Sequence, residues 1–307
     1  MTGVLLVNMG GAGSPEEMKT FLACMFKDPR ILPFGKTVRN ILSFIISNAR
    51  YKKSWEKYKL IGGTPIINAT QETMFALQTE LGYAYRVKVA FSYTAPTIKE
   101  SMLSFKKEGI KKIVVVPLYP QSSFSTTGSV QDEIQRVTLQ EKGFDVRIEK
   151  EFYKQQGFVD FWSKLITAHI KHKGLSSPLL LFSAHSIPQY MVDKGDTYSR
   201  EIEESAALIA GNLKLDFEVA YQSGMRHSKW IGPDTIERLK ELAKEGKDEI
   251  IMIPISFVNE NLETLYDIDK VMIPFAKKEL GMNYISRVKI PEADALFIRL
   301  LVDIIKK

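Results

Sequence analysis

Short apolar runs recur along this chain of 307 residues, and segments with helical periodicity separate them. Small or polar residues bound the runs, as is typical of strands buried on both faces of a parallel sheet. The runs lie at residues 4–7, 87–91, 113–118, 146–148, 179–182, 217–221 and 250–257. Between them, a segment such as 101–107 places Met102 and Phe105 on one face. This alternation predicts an α/β fold with parallel sheets and right-handed crossovers.

The two halves of the chain are weakly similar in sequence. Residues 5–9 resemble 180–184, residues 89–92 resemble 219–222, and residues 114–118 resemble 251–255, in the same order but at unequal spacings. Apolar strands also resemble each other by chance, so duplication and coincidence both fit. A duplication predicts two Rossmann-like lobes, each with a parallel sheet flanked by helices, and a cleft between them. We place the lobes at 1–154 and 155–307, with the last helix packing back on the body.

The composition is that of an ordinary globular protein, with 45% hydrophobic residues, 25% charged residues and a formal net charge of +6. No basic block is interleaved with aromatic residues, so we predict no nucleic-acid partner. Cys24 is the only cysteine, which excludes an intrachain disulfide and a four-cysteine metal or iron–sulfur site. The first residues lack the pattern of a signal peptide, and no apolar run approaches the ~18 residues of a membrane span. A cytoplasmic location is therefore predicted.

Several predicted strands end in residues that suit a ligand site, and ligands of open parallel sheets bind beyond the carboxyl ends of the strands. The run at 179–182 is followed by Ser183, Ala184 and His185, and His185 is one of four histidines in the chain. Residues 119–129 carry seven hydroxyl side chains, which is more than helix capping requires. These positions are candidates for catalysis and for a polar ligand wall.

Another candidate group follows the last predicted strand. Glu260 and Glu263 are three residues apart, so both fit one face of a helix. Acidic residues are also common in first turns because they suit the helix dipole. If Glu263 faces His185, the pair is suited to a metal or to protons. His169 and His172 form an H-x-x-H pattern, which fits two surface histidines better than a metal site.

One predicted helix differs from those of a plain α/β enzyme because it is both strongly apolar and flanked by basic residues. Val38, Ile41, Leu42 and Ile45 form its apolar stripe, and lysines and arginines flank it. We call the segment 31–50 the lip. It could cover the core, or it could hold an apolar ligand or touch a membrane surface.

Six stretches in order carry a resemblance to a known family, and together they extend over nearly the whole chain. They are Leu6–Gly11, Tyr58–Pro65, Ser125–Ser129, Ser183–Pro188, Tyr221–Ser223 and Glu263–Leu265. The longer stretch from Leu181 to Tyr198 is the most specific part of the pattern. On these residues the chain resembles the ferrochelatases, which insert ferrous iron into a porphyrin in haem synthesis.

The resemblance implies roles for individual residues. It implies that His185 takes protons from the pyrrole nitrogens or ligates the metal, with Glu263 opposite, while the cleft holds the porphyrin. The positions that it implies for the walls of the porphyrin site are Met9, Tyr58, Tyr93, Tyr119, Ser125 and Trp230. Candidates for binding the porphyrin propionates are Arg30, Lys59 and Arg226.

The resemblance also implies what binds this protein. Porphyrin and Fe²⁺ are the expected substrates, no cofactor is expected to be tightly bound, and the chain is expected to act as a monomer. The iron–sulfur cluster of some relatives is excluded by the single cysteine and the chain end at Lys307. The lip is expected to serve ligand entry and peripheral contact with the inner face of a membrane, and its apolar character favours protoporphyrin IX over coproporphyrin III.

The chain departs from the family pattern at three places. Met225-Arg226-His227 stands where Val-Gly-Pro often follows Tyr-Gln-Ser in relatives. Glu260 and Asn261 stand where many relatives carry Asp-His, so no metal relay is expected through Asn261, and Ser92 stands where some relatives carry arginine. Two rival functions are therefore kept. One is a chelatase for another metal or tetrapyrrole, such as cobalt and a corrin precursor. The other is a two-lobed protein that binds haem or another solute without catalysis.

Overall fold

The computed structural model describes residues 1–224 and 229–307, and the chain divides into two compact units. The first unit comprises residues 1–119, 123–150 and 292–307. The second comprises residues 120–122 and 151–291. The sequence-based division at residue 154 assigned one continuous stretch to each lobe, whereas the contacts group the C-terminal residues with the first unit.

The first unit is built on a parallel sheet of four strands in the order β2-β1-β3-β4. The strands are β1 (Thr2–Asn8), β2 (Tyr85–Phe91), β3 (Lys112–Pro117) and β4 (Asp145–Ile148). The central strand β1 has no solvent exposure from Val4 to Val7, because strands pair with it on both edges and apolar side chains cover its faces. This is the buried parallel strand that the apolar run predicts.

Helices and turns connect these strands. They are α1 (Pro15–Phe26), α2 (Lys36–Lys59), α3 (Pro65–Leu81), α4 (Ile98–Lys107) and α5 (Ser129–Gln140), with a π-helical turn at Phe124–Gly128 before α5 and a 3₁₀ turn at Gly82–Ala84. Helix α4 begins with a complete capping box between Thr97 and Glu100. Its buried residues Met102 and Phe105 face the sheet, as the sequence periodicity predicts.

The second unit repeats the sheet, with four parallel strands in the corresponding order β6-β5-β7-β8. The strands are β5 (Leu179–His185), β6 (Phe217–Gln222), β7 (Ile250–Ile253) and β8 (Ile285–Arg287). The helices are α6 (Gln156–Lys173), α7 (Gln189–Asp193), α8 (Tyr198–Leu213), α9 (Thr235–Lys244) and α10 (Ile273–Glu279), and a π-helical segment (Glu263–Met272) precedes α10. The matching strand order agrees with the duplication. The α/β prediction is confirmed in both units.

The last helix, α11 (Ala295–Lys306), packs within the first unit. Asp294 caps its start by accepting the backbone N–H of Leu296 at 2.8 Å. At its end, the guanidinium of Arg147 on β4 donates to the carbonyls of Ile304 and Ile305, at 3.2 and 2.8 Å. A cation at a helix C-terminus satisfies free carbonyls and opposes the helix dipole, so this contact adds to the burial of the apolar face of α11.

Candidate active site

His185 is the last residue of β5, at the carboxyl end of the second sheet, and its side chain is partly buried. Its Nδ1 lies 2.6 Å from the backbone carbonyl of Ser186. Because a carbonyl oxygen only accepts, Nδ1 carries the hydrogen of this bond. In the neutral ring the lone pair is then on Nε2, so the local backbone selects the tautomer that can accept a proton or bind a metal at Nε2.

Hydrogen bonds fix the backbone around His185. Its N–H donates to Ser256 Oγ at 3.3 Å, and the next N–H, of Ser186, donates to the Gln222 carbonyl at 2.8 Å. The hydroxyl of Tyr198 hydrogen-bonds with Ser256 and with the His185 backbone, while burial raises the Tyr198 pKa above its ordinary value. Tyr198 lies within the most specific sequence stretch, but its supporting role behind the histidine was not predicted from sequence.

Glu263 is the first residue of the π-helical segment that follows β7. Since β7 pairs with β5, His185 ends one strand and Glu263 comes in the segment that follows its neighbour. Ser256, in the connection between β7 and Glu263, directly contacts the His185 backbone. Both predicted catalytic residues therefore lie in the second unit, His185 in β5 and Glu263 in the segment after β7.

Asn261 is a local cap for the turn that begins at Glu263. Its side-chain Oδ1 accepts the N–H of Thr264 at 3.0 Å, and its own N–H donates to the Thr264 hydroxyl at 3.0 Å. Asn261 is buried in this arrangement. The departure from the family pattern thus has a structural use, since an asparagine caps without titrating.

Trp230 lies beside the histidine loop. The N–H of Ile231 donates to the Ile187 carbonyl at 3.0 Å, and a bridge joins Trp230 to Pro188. A Cβ on Gly224 would lie 3.4 Å from the Trp230 side chain, so the backbone also approaches the tryptophan closely. Residues 225–228, which include the propionate candidate Arg226, lie outside the described residues.

The first unit brings together its own set of predicted porphyrin-binding residues at the carboxyl ends of its strands. Met9 follows β1 and Tyr93 follows β2, and the Tyr93 N–H donates to the Met9 carbonyl at 3.2 Å. Tyr93 is buried in an apolar cluster against which Met9 and Tyr58 also pack. Tyr119 follows β3, and its phenol hydrogen-bonds with Ser92.

The two phenols next to these strand ends are held in their protonated form. Tyr93 donates its O–H to Asp28 Oδ2 at 2.8 Å, and burial, followed by the charge of Asp28, raises its pKa well above the ordinary value. Burial also raises the pKa of Tyr119. Both shifts favour the neutral phenol. Asp28 was not among the sequence candidates.

Ser125 lies in the π-helical turn before α5. Its N–H donates to the Ser123 hydroxyl at 3.3 Å, and the two hydroxyls lie 3.3 Å apart. Arg30 lies over the Phe124 ring at 5.8 Å and forms a two-pronged ion pair with Asp132, at 2.7 and 2.9 Å. The propionate candidate Arg30 thus already has an anionic partner, although exposed pairs of this kind contribute only about 0–1 kcal/mol.

Two of the family-like stretches meet in the first unit. Gly10 has a φ of +90°, and a Cβ on Gly11 would lie 2.0 Å from the Thr64 side chain. The backbone N–H of Ala12 donates to the Thr64 hydroxyl at 3.3 Å. Gly11 therefore lets the turn before α3 dock against the loop after β1, whereas Gly10 supplies the positive φ and faces Thr94 and Phe91.

Helix α2 contains residues 36–50 of the lip, and in this part it exposes apolar residues and buries small ones. Exposed fractions are 50% for Val38, 56% for Ile41, 67% for Phe44 and 54% for Ile45. The buried residues of the helix are Ser43 and Ser47, and Ser43 donates to a carbonyl of α1 at 2.8 Å. The apolar stripe is therefore not a cover for the core of its unit. No helix among the described residues is long and apolar enough to cross a bilayer.

Two further sequence candidates have structural partners. His169 Nε2 lies 2.8 Å from the Ser286 hydroxyl, and burial lowers the pKa of this histidine. Glu260 precedes the π-helical segment and pairs with Arg287 at 2.9 Å, so it does not share a helical face with Glu263. Across residues 1–224 and 229–307, no three His, Cys, Asp or Glu side chains form a metal-binding group.

Two solved structures have a similar fold. SirB from Bacillus subtilis, solved with Fe³⁺, matches with a TM-score of 0.61 at 12% sequence identity. The match covers 98% of this chain and 94% of the SirB chain. CbiX, the terminal enzyme of siroheme biosynthesis in denitrifying bacteria, has a TM-score of 0.53 at 14% identity, with coverage of 99% and 98%. The chain shares its fold with these two proteins.

Sequence relatives narrow the class to one family. The family model described as Ferrochelatase matches residues 1–307. The ferrochelatase of Aquifex aeolicus is 37% identical over 99% of this chain and 98% of the relative, and that of Geotalea daltonii is 35% identical over 99% and 97%. The chain belongs to the ferrochelatase family. It is an enzyme of haem biosynthesis whose substrates are a porphyrin and Fe²⁺.

Proposed function

We propose that His185 accepts the pyrrole protons of protoporphyrin IX and that Glu263 carries Fe²⁺ to the ring. The observation that supports this assignment best is the Nδ1–H bond from His185 to the Ser186 carbonyl, which leaves the basic lone pair on Nε2. A tautomer fixed by a backbone carbonyl needs no rearrangement before it takes a proton. The carboxylate of Glu263 supplies the oxygen ligand.

The reaction exchanges two pyrrole protons for one divalent iron, so a base and a metal carrier must work together. A flat porphyrin keeps its N–H protons and its lone pairs in the plane of the ring, and distortion exposes them. His185 takes the protons in turn and passes them to water, because its side chain is only partly buried. A single carboxylate holds Fe²⁺ loosely enough for the four ring nitrogens to replace it. The one free lone pair of His185, on Nε2, is then available for the protons.

The first unit binds the macrocycle in this proposal. Met9, Tyr58, Tyr93, Tyr119 and Ser125 are the proposed porphyrin-binding residues of this unit, and Trp230 is the proposed porphyrin-binding residue of the second unit. The neutral phenols and the apolar cluster around Tyr93 favour ring contact without charge.

The porphyrin preference is tested with the wild-type enzyme. We expect a higher kcat/KM with protoporphyrin IX than with coproporphyrin III. Fe²⁺ insertion is measured anaerobically, and Zn²⁺ insertion is monitored by porphyrin fluorescence. The physical reason is the apolar lip, which favours the less charged ring. A higher kcat/KM for coproporphyrin III would contradict the substrate assignment. A preference for Co²⁺ and a corrin precursor over both would contradict the iron–porphyrin assignment as well.

The lip is proposed to rest on the inner face of a membrane, with the protein cytoplasmic and monomeric. Helix α2 carries seven basic residues and one acidic residue, a net charge of +6, which equals the formal net charge of the whole chain. Exposed apolar residues and a basic surface on one helix suit an interface rich in anionic lipid.

Membrane contact is tested with the double variant Ile41→Lys/Ile45→Lys. We expect it to lose most sedimentation with phosphatidylglycerol-containing vesicles, because two side chains that would enter the lipid become charged. The matched control is Phe75→Lys on α3, where an equally exposed apolar residue, at 59%, lies outside the lip. Equal vesicle binding by the wild type and the double variant would contradict this role.

A further inference from the structure

Arg287, at the end of β8, is a buried cation with no role in the site described above. Its side chain is 1% exposed. Nε and Nη2 donate to the two oxygens of Asp269 at 2.8 and 2.7 Å, and Nη1 donates to Glu260 at 2.9 Å and to the Val288 carbonyl at 3.1 Å. A planar guanidinium with this many partners has a fixed orientation.

The two carboxylates lie on either side of Glu263 in the chain. Glu260 precedes Glu263 by three residues, and Asp269 follows it by six, inside the π-helical segment. Glu260 is itself held at both oxygens, because Oε1 also accepts the N–H of Ile290 at 2.9 Å and Oε2 accepts the hydroxyl of Thr264. One side chain from β8 therefore ties together the start and the interior of the turn that carries Glu263.

This turn needs such support. π-Helical hydrogen bonding is rare and occurs mostly as single turns, whereas this segment runs for ten residues from Glu263 to Met272. A change to α-helical hydrogen bonding would rotate the side chains along the segment relative to one another. The direction of the Glu263 carboxylate thus depends on retention of the π-helical register.

We propose that Arg287 is a positioning residue that holds the π-helical register and thereby sets the direction of the Glu263 carboxylate. The proposal rests on the function proposed for Glu263. Arg287 contacts neither substrate in this account, since its donors are directed at Asp269, Glu260 and the Val288 carbonyl. It acts only through the segment that it clamps.

The test replaces the Arg287 guanidinium and measures metal insertion and porphyrin binding separately. In Arg287→Met and Arg287→Lys we expect kcat/KM for Zn²⁺ to fall by about 10–100-fold, as for other residues that orient a metal ligand. The porphyrin Kd, from fluorescence quenching, should stay within about twofold, because the residues of the first unit are unchanged. The lysine variant keeps the charge but cannot bond both carboxylates, so it should not restore the rate.

A matched control separates this role from stability alone. Arg238 also binds several carboxylates in the second unit, Glu218 at 2.8 Å, Glu241 at 2.7 Å and Glu245 at 2.9 Å, but it lies on α9, away from the π-helical segment. Arg238→Met should lower Tm without a selective effect on Zn²⁺ insertion. Asp269→Asn weakens only the contact between Arg287 and residue 269. This variant replaces Arg287→Met in the test if Arg287→Met does not fold.

The outcomes distinguish this proposal from the proposed site. If Glu263→Gln is impaired while folded Arg287 and Asp269 variants insert Zn²⁺ at the wild-type rate, the positioning role of Arg287 is contradicted and the role of Glu263 is not. If Glu263→Gln is fully active, the role proposed for Glu263 is contradicted, and the positioning role of Arg287 is contradicted as well. Equal losses in the Arg287 and Arg238 variants, or a parallel loss of porphyrin affinity, would also overturn the positioning role.

Discussion

Replacement of His185 by alanine is expected to lower kcat for Fe²⁺ insertion by about 10²–10⁴-fold, the usual contribution of a general base. The porphyrin Kd should change little, because the imidazole acts on protons rather than on the faces of the ring. The tautomer fixed by the Ser186 carbonyl makes Nε2 the acceptor, and alanine removes this acceptor without filling its place. Single-turnover absorbance of the bound porphyrin gives the rate, and fluorescence quenching gives the Kd.

The control for this variant is His169→Ala. His169 is also a partly buried histidine of the second unit with a serine partner, at 2.8 Å, but it lies on α6 and has no role in the proposed chemistry. Its loss should leave kcat unchanged. A similar kcat for wild type and His185→Ala, with both proteins folded by circular dichroism, would contradict the assigned proton acceptor.

Glu263→Gln is the second variant for which a large effect is expected. We expect kcat/KM for Fe²⁺ to fall by about 100-fold with little change in porphyrin Kd, because an amide keeps the size of the carboxylate but loses the negative charge that attracts the cation. Initial rates over a range of Fe²⁺ concentrations, at saturating porphyrin, measure this loss.

A glutamate in a first turn can also act only through the helix dipole, and Glu237→Gln tests that alternative. Glu237 lies in the first turn of α9 and pairs with Lys240 at 2.8 Å. Its replacement should cost about 0.3–1 kcal/mol of stability at most and leave the kinetics intact. If Glu237→Gln and Glu263→Gln had the same small effect, the catalytic role of Glu263 would be contradicted.

Much of the fold was predictable because buried parallel strands have a distinct sequence pattern. The seven apolar runs correspond to β1 to β7, and the similarity between halves agrees with the repeated strand order. The run ending at Phe257 was too long, since β7 ends at Ile253, before Pro254, which has no N–H for the ladder. Strand β8 was missed because three residues, Ile285–Arg287, are too short to show a pattern.

The candidate site was predictable where strand ends concentrate unusual residues. His185 ends a strand, and Met9, Tyr93 and Tyr119 each follow one, so sequence position alone places them at a sheet edge. Their roles in catalysis and porphyrin binding remain predictions.

The supporting residues could not be predicted, because their partners are distant in the chain. Arg287 reaches Glu260 across 27 positions, and Tyr93 reaches Asp28 across 65. No periodicity or local motif encodes such pairs. The π-helical form of the segment that begins at Glu263 could not be predicted either, because its sequence has the pattern of an ordinary amphipathic helix.

Chemical rescue of His185→Ala by imidazole is the most direct test of the central claim that His185 is the proton acceptor. Zn²⁺ insertion is measured in wild type, His185→Ala and Glu263→Gln over a range of added imidazole, with Zn²⁺ in excess. We predict a saturable recovery in His185→Ala alone, because free imidazole can occupy the space left by the side chain and take the pyrrole protons. Recovery in both variants, or in neither, while His185→Ala still binds porphyrin normally, would contradict the claim.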